Sequence, residues 1–216
     1  MTFRTRYLPA FAMATVLAGC AGEGELVIDQ GVGITAVLST CPAVGIPDYT
    51  GDVTAFRNAG APTMDNLDYS AAITNLRSTC DEGSERVYTE ATFDVLVQRR
   101  DARGSRTVTL PYFVTVLQGG SAVVTKRVGE VTVSFADGQD RASASGKAGS
   151  FVDRAASALP EDIRERITRR RRAGDPEAAL DPLAAPEVRA AIARTRFEML
   201  IGFQLTEEQL AYNATR

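Results

Sequence analysis

The stretch 85-ERVYTEATFDVLVQ-98 alternates between apolar and polar residues over most of its length. A period of two is typical of a β-strand that buries one face, because successive side chains of a strand point to opposite sides. We therefore predict a strand whose buried face consists of Val87, Thr89, Ala91, Phe93, Val95 and Val97. This strand is the basis for predicting a mainly β fold.

Strand-like sequence also flanks this stretch on both sides. Before it, residues 68–80 (DYSAAITNLRSTC) form a plausible strand that ends at Cys80. After it, residues 107–117 (TVTLPYFVTVL) carry apolar side chains on both faces, which indicates a central strand. Pro111 conflicts with that position because proline cannot donate a hydrogen bond to a neighbouring strand. We expect a bulge or a bend there.

Turn signals divide the residues that follow into further strands. Gly119-Gly120 is typical of a hairpin turn, after which residues 121–128 (SAVVTKRV) pair back. Residues 129–136 (GEVTVSFA) are predicted as another strand, followed by a turn at Asp137-Gly138. Residues 140–152 (DRASASGKAGSFV) are polar and small, as in a strand at a sheet edge or on an exposed face. Several short strands with hairpin turns favour an antiparallel immunoglobulin-like β-sandwich.

The C-terminal third predicts helices inside the same domain. Residues 160–174 begin with proline and acidic residues and end at Gly174, and residues 186–195 form a second short helix. Residues 197–205 alternate strictly, which indicates a strand that returns to the sheet. Thr206 and Gln209 form a capping box for a final helix. We expect one domain over residues 28–216 with a helical insertion at about 159–194.

The N-terminus has the pattern of a secretory signal. Arg4 and Arg6 precede a short apolar run that ends in small residues and Cys20. The run is shorter than the roughly 20 residues that a membrane-spanning helix needs. The tetrapeptide 17-LAGC-20 resembles the lipobox of bacterial lipoproteins at all four positions. A plain signal peptide with a coincidental cysteine is the alternative.

The lipobox resemblance implies that residues 1–19 are removed and that Cys20 carries a diacylglyceryl thioether and an N-linked acyl chain. Two or three lipid chains give a firm membrane anchor, since each buried methylene contributes about 0.8 kcal/mol. Residues 20–27 are then a tether. Ala21 follows the cysteine, and by analogy with enterobacterial sorting this favours the outer membrane, with the domain facing the periplasm. No other cofactor is expected.

Cys41 and Cys80 remain after the predicted processing. In an exported protein, two remaining cysteines are most simply interpreted as one disulfide. Two free thiols or a pair of metal ligands is the alternative. The chain contains no histidine to complete a usual zinc site.

Charge and composition narrow the classes of partner and reaction. Without Arg4 and Arg6 the chain keeps 22 of its 24 basic residues against 27 acidic ones, so it is mildly acidic. This balance argues against bulk nucleic-acid binding. The absence of histidine excludes Ser-His-Asp and Cys-His catalysis.

Three local patterns are candidate sites. Arg169, Arg170, Arg171 and Arg172 form a candidate patch for anionic lipids, or a solvated helix end. Residues 31–36 fit G-x-G-x-x-A, but the β-branched residues after them do not make the helix that a dinucleotide site requires. Lys147 has Ser145 and Ser150 nearby, although glycines on either side favour a loose strand over a Ser-Lys site. A glycosidase would use a pair of Asp or Glu carboxylates, and the sequence surroundings mark no two acidic residues as such a pair.

Three stretches, 41-CPAVGIPDYTGD-52, 110-LPYFVTVLQGGSAVVTK-126 and 201-IGFQLTEEQLAYN-213, resemble a group of alphaproteobacterial cell-envelope lipoproteins with no assigned activity. The resemblance implies the location and the single-domain architecture, and it transfers no site. We expect a non-catalytic binding, accessory or scaffold module with a protein partner in the envelope. The alternatives are a lipid or glycan carrier with an apolar cavity and, less favoured, an envelope hydrolase.

Overall fold

The computed structural model describes residues 39–58, 62–169, 174 and 180–215. In this part of the chain the strands are, in order, β1 (Ala43–Gly45), β2 (Asp52–Phe56), β3 (Leu67–Asp81), β4 (Arg86–Arg99), β5 (Arg106–Gln118), β6 (Ala122–Phe135), β7 (Arg141–Asp153) and β8 (Phe197–Phe203). The helices are α1 (Arg154–Ser157), α2 (Glu161–Thr168), α3 (Pro186–Thr195) and α4 (Glu207–Thr215), with short 3-10 turns at Met64–Asn66 and Pro182–Ala184. The predicted signal, Cys20 and the tether lie outside the described residues.

The strands form two four-stranded sheets. One has the order β1-β8-β5-β6 and the other β2-β3-β4-β7. Every pair of neighbours is antiparallel except β1 and β8, which are parallel. The predicted antiparallel, immunoglobulin-like sandwich with a helical insertion and a C-terminal strand and helix is thereby confirmed.

The core lies between the sheets and depends on β4, as the sequence predicts. The six residues predicted for its inner face are all buried, with at most 2% of each residue exposed: Val87, Thr89, Ala91, Phe93, Val95 and Val97. The alternating residues of β8 oppose them from the other sheet: Phe197, Met199, Ile201 and Phe203. The alternation in both stretches thus marks the two faces that meet in the core.

Pro111 does not cause the expected bulge. The β5–β6 register is continuous through Pro111, which lies opposite Glu130, and it shifts instead between Val116 and Leu117. The Pro111 carbonyl accepts a hydrogen bond from the Gln204 amide, one residue beyond the end of β8. A strand residue directs its N–H and C=O to the same side. The missing N–H of Pro111 therefore faces the side where β8 has already ended, so no ladder bond is lost.

Three boundaries differ from the sequence prediction. Residues 121–136 form one long strand, β6, since β5 pairs with it along its whole length. Short strands β1 and β2 lie between Cys41 and Tyr69, where the sequence predicted no strand. The helical segment begins at Arg154 with α1, earlier than predicted.

The predicted helix signals are largely confirmed. Ile163 lies in a small second cluster with Leu159 and Ile167 packed beside it. Pro160 is the N-cap residue of α2, so this helix begins one residue later than predicted, and it ends at Thr168, well before Gly174. In the capping box of α4, the Gln209 side chain accepts from the Thr206 amide, and the Thr206 hydroxyl accepts from the Gln209 amide.

A disulfide joins Cys41 to Cys80, with their Cα atoms 6.1 Å apart. It ties the start of the described chain to the end of β3. Closing a loop of 39 residues stabilises the fold by about 4 kcal/mol through the lost entropy of the unfolded chain. Within the described ranges no helix has both the length and the apolar character needed to cross a bilayer.

Candidate functional site

The strands β6 and β7 are edge strands of opposite sheets, and they are connected directly by the turn at Asp137-Gly138. We call the side of the sandwich where these two edges run beside each other the seam. At its closed end the turn holds the two edges together, and the Arg99 guanidinium donates to the carbonyls of Ala136 and Gln139. The seam leaves two sheet edges without a neighbouring strand in the described part of the molecule.

The backbone groups of β6 that face the seam follow from the hydrogen-bond alternation. Pro111 turns its carbonyl towards Gln204, away from β6, so the opposite residue Glu130 belongs to a pair that exchanges no ladder bonds. Glu130 therefore directs its N–H and C=O away from β5 and into the seam. Val128 and Lys126 share this direction, because they lie two and four residues before Glu130 in a continuous register.

The same argument identifies the free groups of β7. The Arg99 amide donates to the Asp140 carbonyl, and the Arg154 amide donates to the Glu85 carbonyl, so even-numbered residues of β7 face β4. Gly149 and Phe151 therefore turn their N–H and C=O groups to the seam. Both β6 and β7 thus direct backbone N–H and C=O groups that bond to no neighbouring strand into the seam.

Tyr112 marks where the seam closes. Its hydroxyl crosses from β5 and donates to the Lys147 carbonyl at 2.8 Å. Burial raises the pKa of Tyr112, so the phenol is protonated and remains a donor at neutral pH. Beyond this bond, residues of both sheets line an open space, with Val114 and Val116 on one side and Gly149 and Ser150 on the other.

This space is a cleft of about 190 Å³. Its walls combine apolar side chains with two cations and contain no carboxylate: Arg86, Val114, Val116, Val124, Thr125, Arg127, Gly149, Ser150 and Phe151. Val124 is the extra residue at the register shift of the β5–β6 pair. The cleft is therefore apolar at its base and positively charged at its rim.

Ser150 is a buried polar group without a partner in this cleft. It is 7% exposed, and its hydroxyl forms no hydrogen bond in the described structure. Leaving a buried hydroxyl unsatisfied costs about 1–3 kcal/mol. Such a group is a plausible contact for a ligand, because a hydroxyl can donate as well as accept.

The two arginines of the cleft form no ion pair with described residues. The Arg86 guanidinium lies over the Phe151 ring, 4.8 Å from its centroid. Arg127 lies opposite Val114 on the inner face of its sheet and lines the cleft. Arginine presents a planar set of donors that matches a carboxylate.

A second depression lies on the outer face of the β2-β3-β4-β7 sheet. It measures about 800 Å³ and is lined mostly by small and polar residues around the half-exposed Leu96. Farther along the same face the charged groups are paired: Lys147 contacts Glu90 at 2.8 Å, and Asp94 accepts from Asn75 and Ser145. This face offers fewer unsatisfied groups than the seam.

The structure does not assemble the Ser-Lys pattern around Lys147. Ser145 donates to Asp94, and Ser150 lies on the opposite face of β7. The hydrogen bond that Lys147 donates to the Glu90 carboxylate raises the pKa of Lys147, whereas a lysine that serves as a base needs a lowered pKa. The same contact lowers the pKa of Glu90.

The other predicted site residues are only partly described. Cys41 and Cys80 form the disulfide, so the alternatives of free thiols or a metal pair, even with Glu82 close by, are not supported. Arg169 is the C-cap residue of α2. Cys20, Arg170, Arg171, Arg172 and the glycine pattern at 31–36 lie outside the described residues.

The seam was missed by the sequence prediction, although one signal was present. Valines at positions 123, 124 and 128 are more than half exposed, in contrast to the buried valines later in β6. Exposed valines beside Lys126 and Arg127 are typical of an edge strand protected by charge. The sequence cannot show that β7 of the other sheet runs beside this edge.

Comparison of the chain with protein families, with curated proteins and with solved structures finds no significant match.

Proposed function

We propose that this protein is a lipid-anchored binding module of the bacterial cell envelope, held at a membrane through Cys20, that acts as a non-catalytic accessory or scaffold subunit. The anchor rests on the lipobox pattern of the sequence. The binding role is supported by one structural observation: the seam exposes two unpaired sheet edges beside a cleft with unpaired cations. Partners commonly add a strand to such edges.

The lipid anchor would strengthen binding at the exposed sheet edge. Confining the domain to one membrane surface raises its local concentration for partners on that surface. We propose an outer-membrane position with the domain facing the periplasm and an envelope protein as the partner. Nucleic acid is disfavoured as a partner by the acidic composition.

The carrier alternative gains no support from the described interior. A lipid or glycan carrier needs a cavity in the range of about 300–1,000 Å³. The space between the sheets is filled by large buried side chains, such as Phe93, Met199 and Phe203. The cleft at the seam, about 190 Å³, is smaller than that range. The filled core favours binding at the surface over carriage inside.

The anchor is tested by Cys20→Ser in the natural host. We expect the wild-type chain to sediment with membranes and to incorporate labelled palmitate, and the variant to do neither, because only the thiol accepts the lipid. Ala21→Ser is the matched control and keeps both properties. Sedimentation of the Cys20→Ser chain with membranes would contradict the proposal.

The binding surface is tested separately by a photo-crosslinking residue placed in cells at position 128 or at position 96. Val128 is 58% exposed at the seam and Leu96 is 50% exposed on the outer face of the other sheet, so the two sites are matched in exposure. We expect a discrete crosslinked envelope protein from position 128 alone. Equal products from both positions would contradict a binding role for the seam.

A further inference from the structure

We propose that the seam binds an extended acidic peptide segment, which adds as a strand to the free edge of β6 and places one carboxylate against Arg127 and the Ser150 hydroxyl. This inference rests on the proposed binding role and specifies its ligand. The occupant is a segment of a partner protein.

The backbone of β6 supplies the first part of the recognition. Val128 and Lys126 direct their N–H and C=O groups away from β5, as derived from the Pro111–Gln204 bond. These groups are spaced as an incoming strand requires, because free groups recur at every second residue of an edge. A peptide satisfies them irrespective of its sequence.

The alternation of side chains supplies the second part. Arg127 lies between Lys126 and Val128 and belongs to the inner face, opposite Val114. A peptide residue paired with Arg127 points to the same face, and therefore into the cleft. That single position of the peptide decides which side chain enters.

The composition of the cleft decides the chemistry of this side chain. Two arginines and no carboxylate line it, and neither arginine forms an ion pair within the described residues. The buried Ser150 hydroxyl is available as a further donor. A volume of about 190 Å³ fits one side chain and not a larger ligand. A carboxylate with an apolar stem satisfies these conditions, since its oxygens accept from both arginine and hydroxyl.

The test uses the full chain purified in detergent and a labelled, capped seven-residue peptide of threonine and valine with one central glutamate. The control peptide has glutamine at the centre. We expect fluorescence anisotropy to show at least tenfold tighter binding of the glutamate peptide. Arg127→Gln should weaken the glutamate peptide about tenfold and leave the glutamine peptide unchanged.

Strand addition is tested by Val128→Pro, which removes one free edge donor without removing a bond to β5. Proline is tolerated on an edge where its nitrogen faces outward. We expect loss of binding of both peptides, whereas Val128→Thr keeps it. A peptide N-methylated on the amide that faces β6 gives the same test on the unaltered protein, so a folding defect of the proline variant does not decide the outcome.

Several results would overturn the inference. These are equal affinity for the two peptides, undiminished binding of the N-methylated peptide, and displacement of the glutamate peptide by phosphatidylglycerol vesicles, which would identify an anionic lipid as the ligand. If the full chain forms dimers and the Val128→Pro variant is monomeric, the occupant of the seam is a second copy of this chain. None of these results bears on lipidation of Cys20, and a positive crosslink at position 128 would preserve the binding role with another ligand.

Discussion

At the scale of single residues, two glycines determine how deeply the aromatic core can pack. The rings of Phe93 and Tyr112 meet edge to face with centroids 5.1 Å apart. A Cβ atom at Gly146 would lie 2.3 Å from the Phe93 ring, and one at Gly129 would lie 2.7 Å from the Tyr112 ring. Each aromatic residue therefore occupies the space above a glycine on the neighbouring strand. The small residue Gly146 in β7 is therefore needed to make room for the Phe93 ring of β4.

We expect Gly146→Ala to destabilise the protein by about 1–3 kcal/mol, because the added methyl group overpacks the core against Phe93. Urea unfolding at neutral pH measures the change. Gly45→Ala is the matched control, since its Cβ would lie 4.0 Å from Leu200, an ordinary contact. Phe93→Leu in the Gly146→Ala background should recover part of the loss. Wild-type stability of the single variant would show that the ring moves aside freely.

At the scale of elements, α4 closes the open edge of β2. Asn213 is 4% exposed, and its side-chain amide donates to the carbonyls of Tyr49 and Asp52, both at 2.8 Å. Tyr49 has a φ of 65°, a conformation that non-glycine residues rarely adopt. Tyr212 adds an edge-to-face contact with Phe56. The last helix thus supports the turn that leads into β2.

We expect Asn213→Ala to lower the free energy of unfolding by about 1–3 kcal/mol, because two donated bonds to buried backbone are lost. Hydrogen exchange localises the effect: the amide of Phe203, bonded to the Thr50 carbonyl, should exchange faster than amides of β4. Thr215→Ala, on the exposed end of the same helix, serves as the control and should behave as the wild type. Uniformly faster exchange throughout both sheets would argue against a local role.

At the scale of the whole molecule, the disulfide and the two packed sheets both stabilise the fold. Cys80 lies at the end of β3, opposite Thr89 of β4, which in turn lies opposite Ser150 of β7. The bridge therefore attaches the chain before β1 to the same end of the sandwich as the cleft. A protein with this bridge suits an oxidising compartment, in agreement with the proposed location.

We expect reduction of the bridge to cost about 4 kcal/mol, mainly because the unfolded chain regains the entropy of the 39-residue loop. Urea unfolding with and without a reducing agent measures it. The double variant Cys41→Ser/Cys80→Ser should match the reduced protein and should not respond to the reducing agent. Cys20→Ser controls for the remaining cysteine and should respond as the wild type does. Identical unfolding midpoints in both conditions would show that the bridge does not constrain the unfolded state.

The local features of this protein follow from its amino-acid pattern alone. The alternation of residues 85–98 and 197–203 identified both faces of the core, because side-chain direction in a strand depends only on position along it. The glycines at positions 119, 120 and 138 marked turns, since their positive φ angles are strained for other residues. The capping box at Thr206 and Gln209 is also predictable, because its two hydrogen bonds join residues only three positions apart.

The assembled fold was needed to reveal the features that depend on residues distant in the chain. It showed that β5 tolerates Pro111, because β8 ends one residue too early to need its N–H. It placed β6 and β7 on edges of opposite sheets and left Val128, Arg127 and Ser150 around one cleft. Strand pairing joins residues far apart in sequence through backbone groups that every residue carries. The amino-acid pattern therefore specifies which face is buried, while the assembled sheets specify which edges remain free to bind.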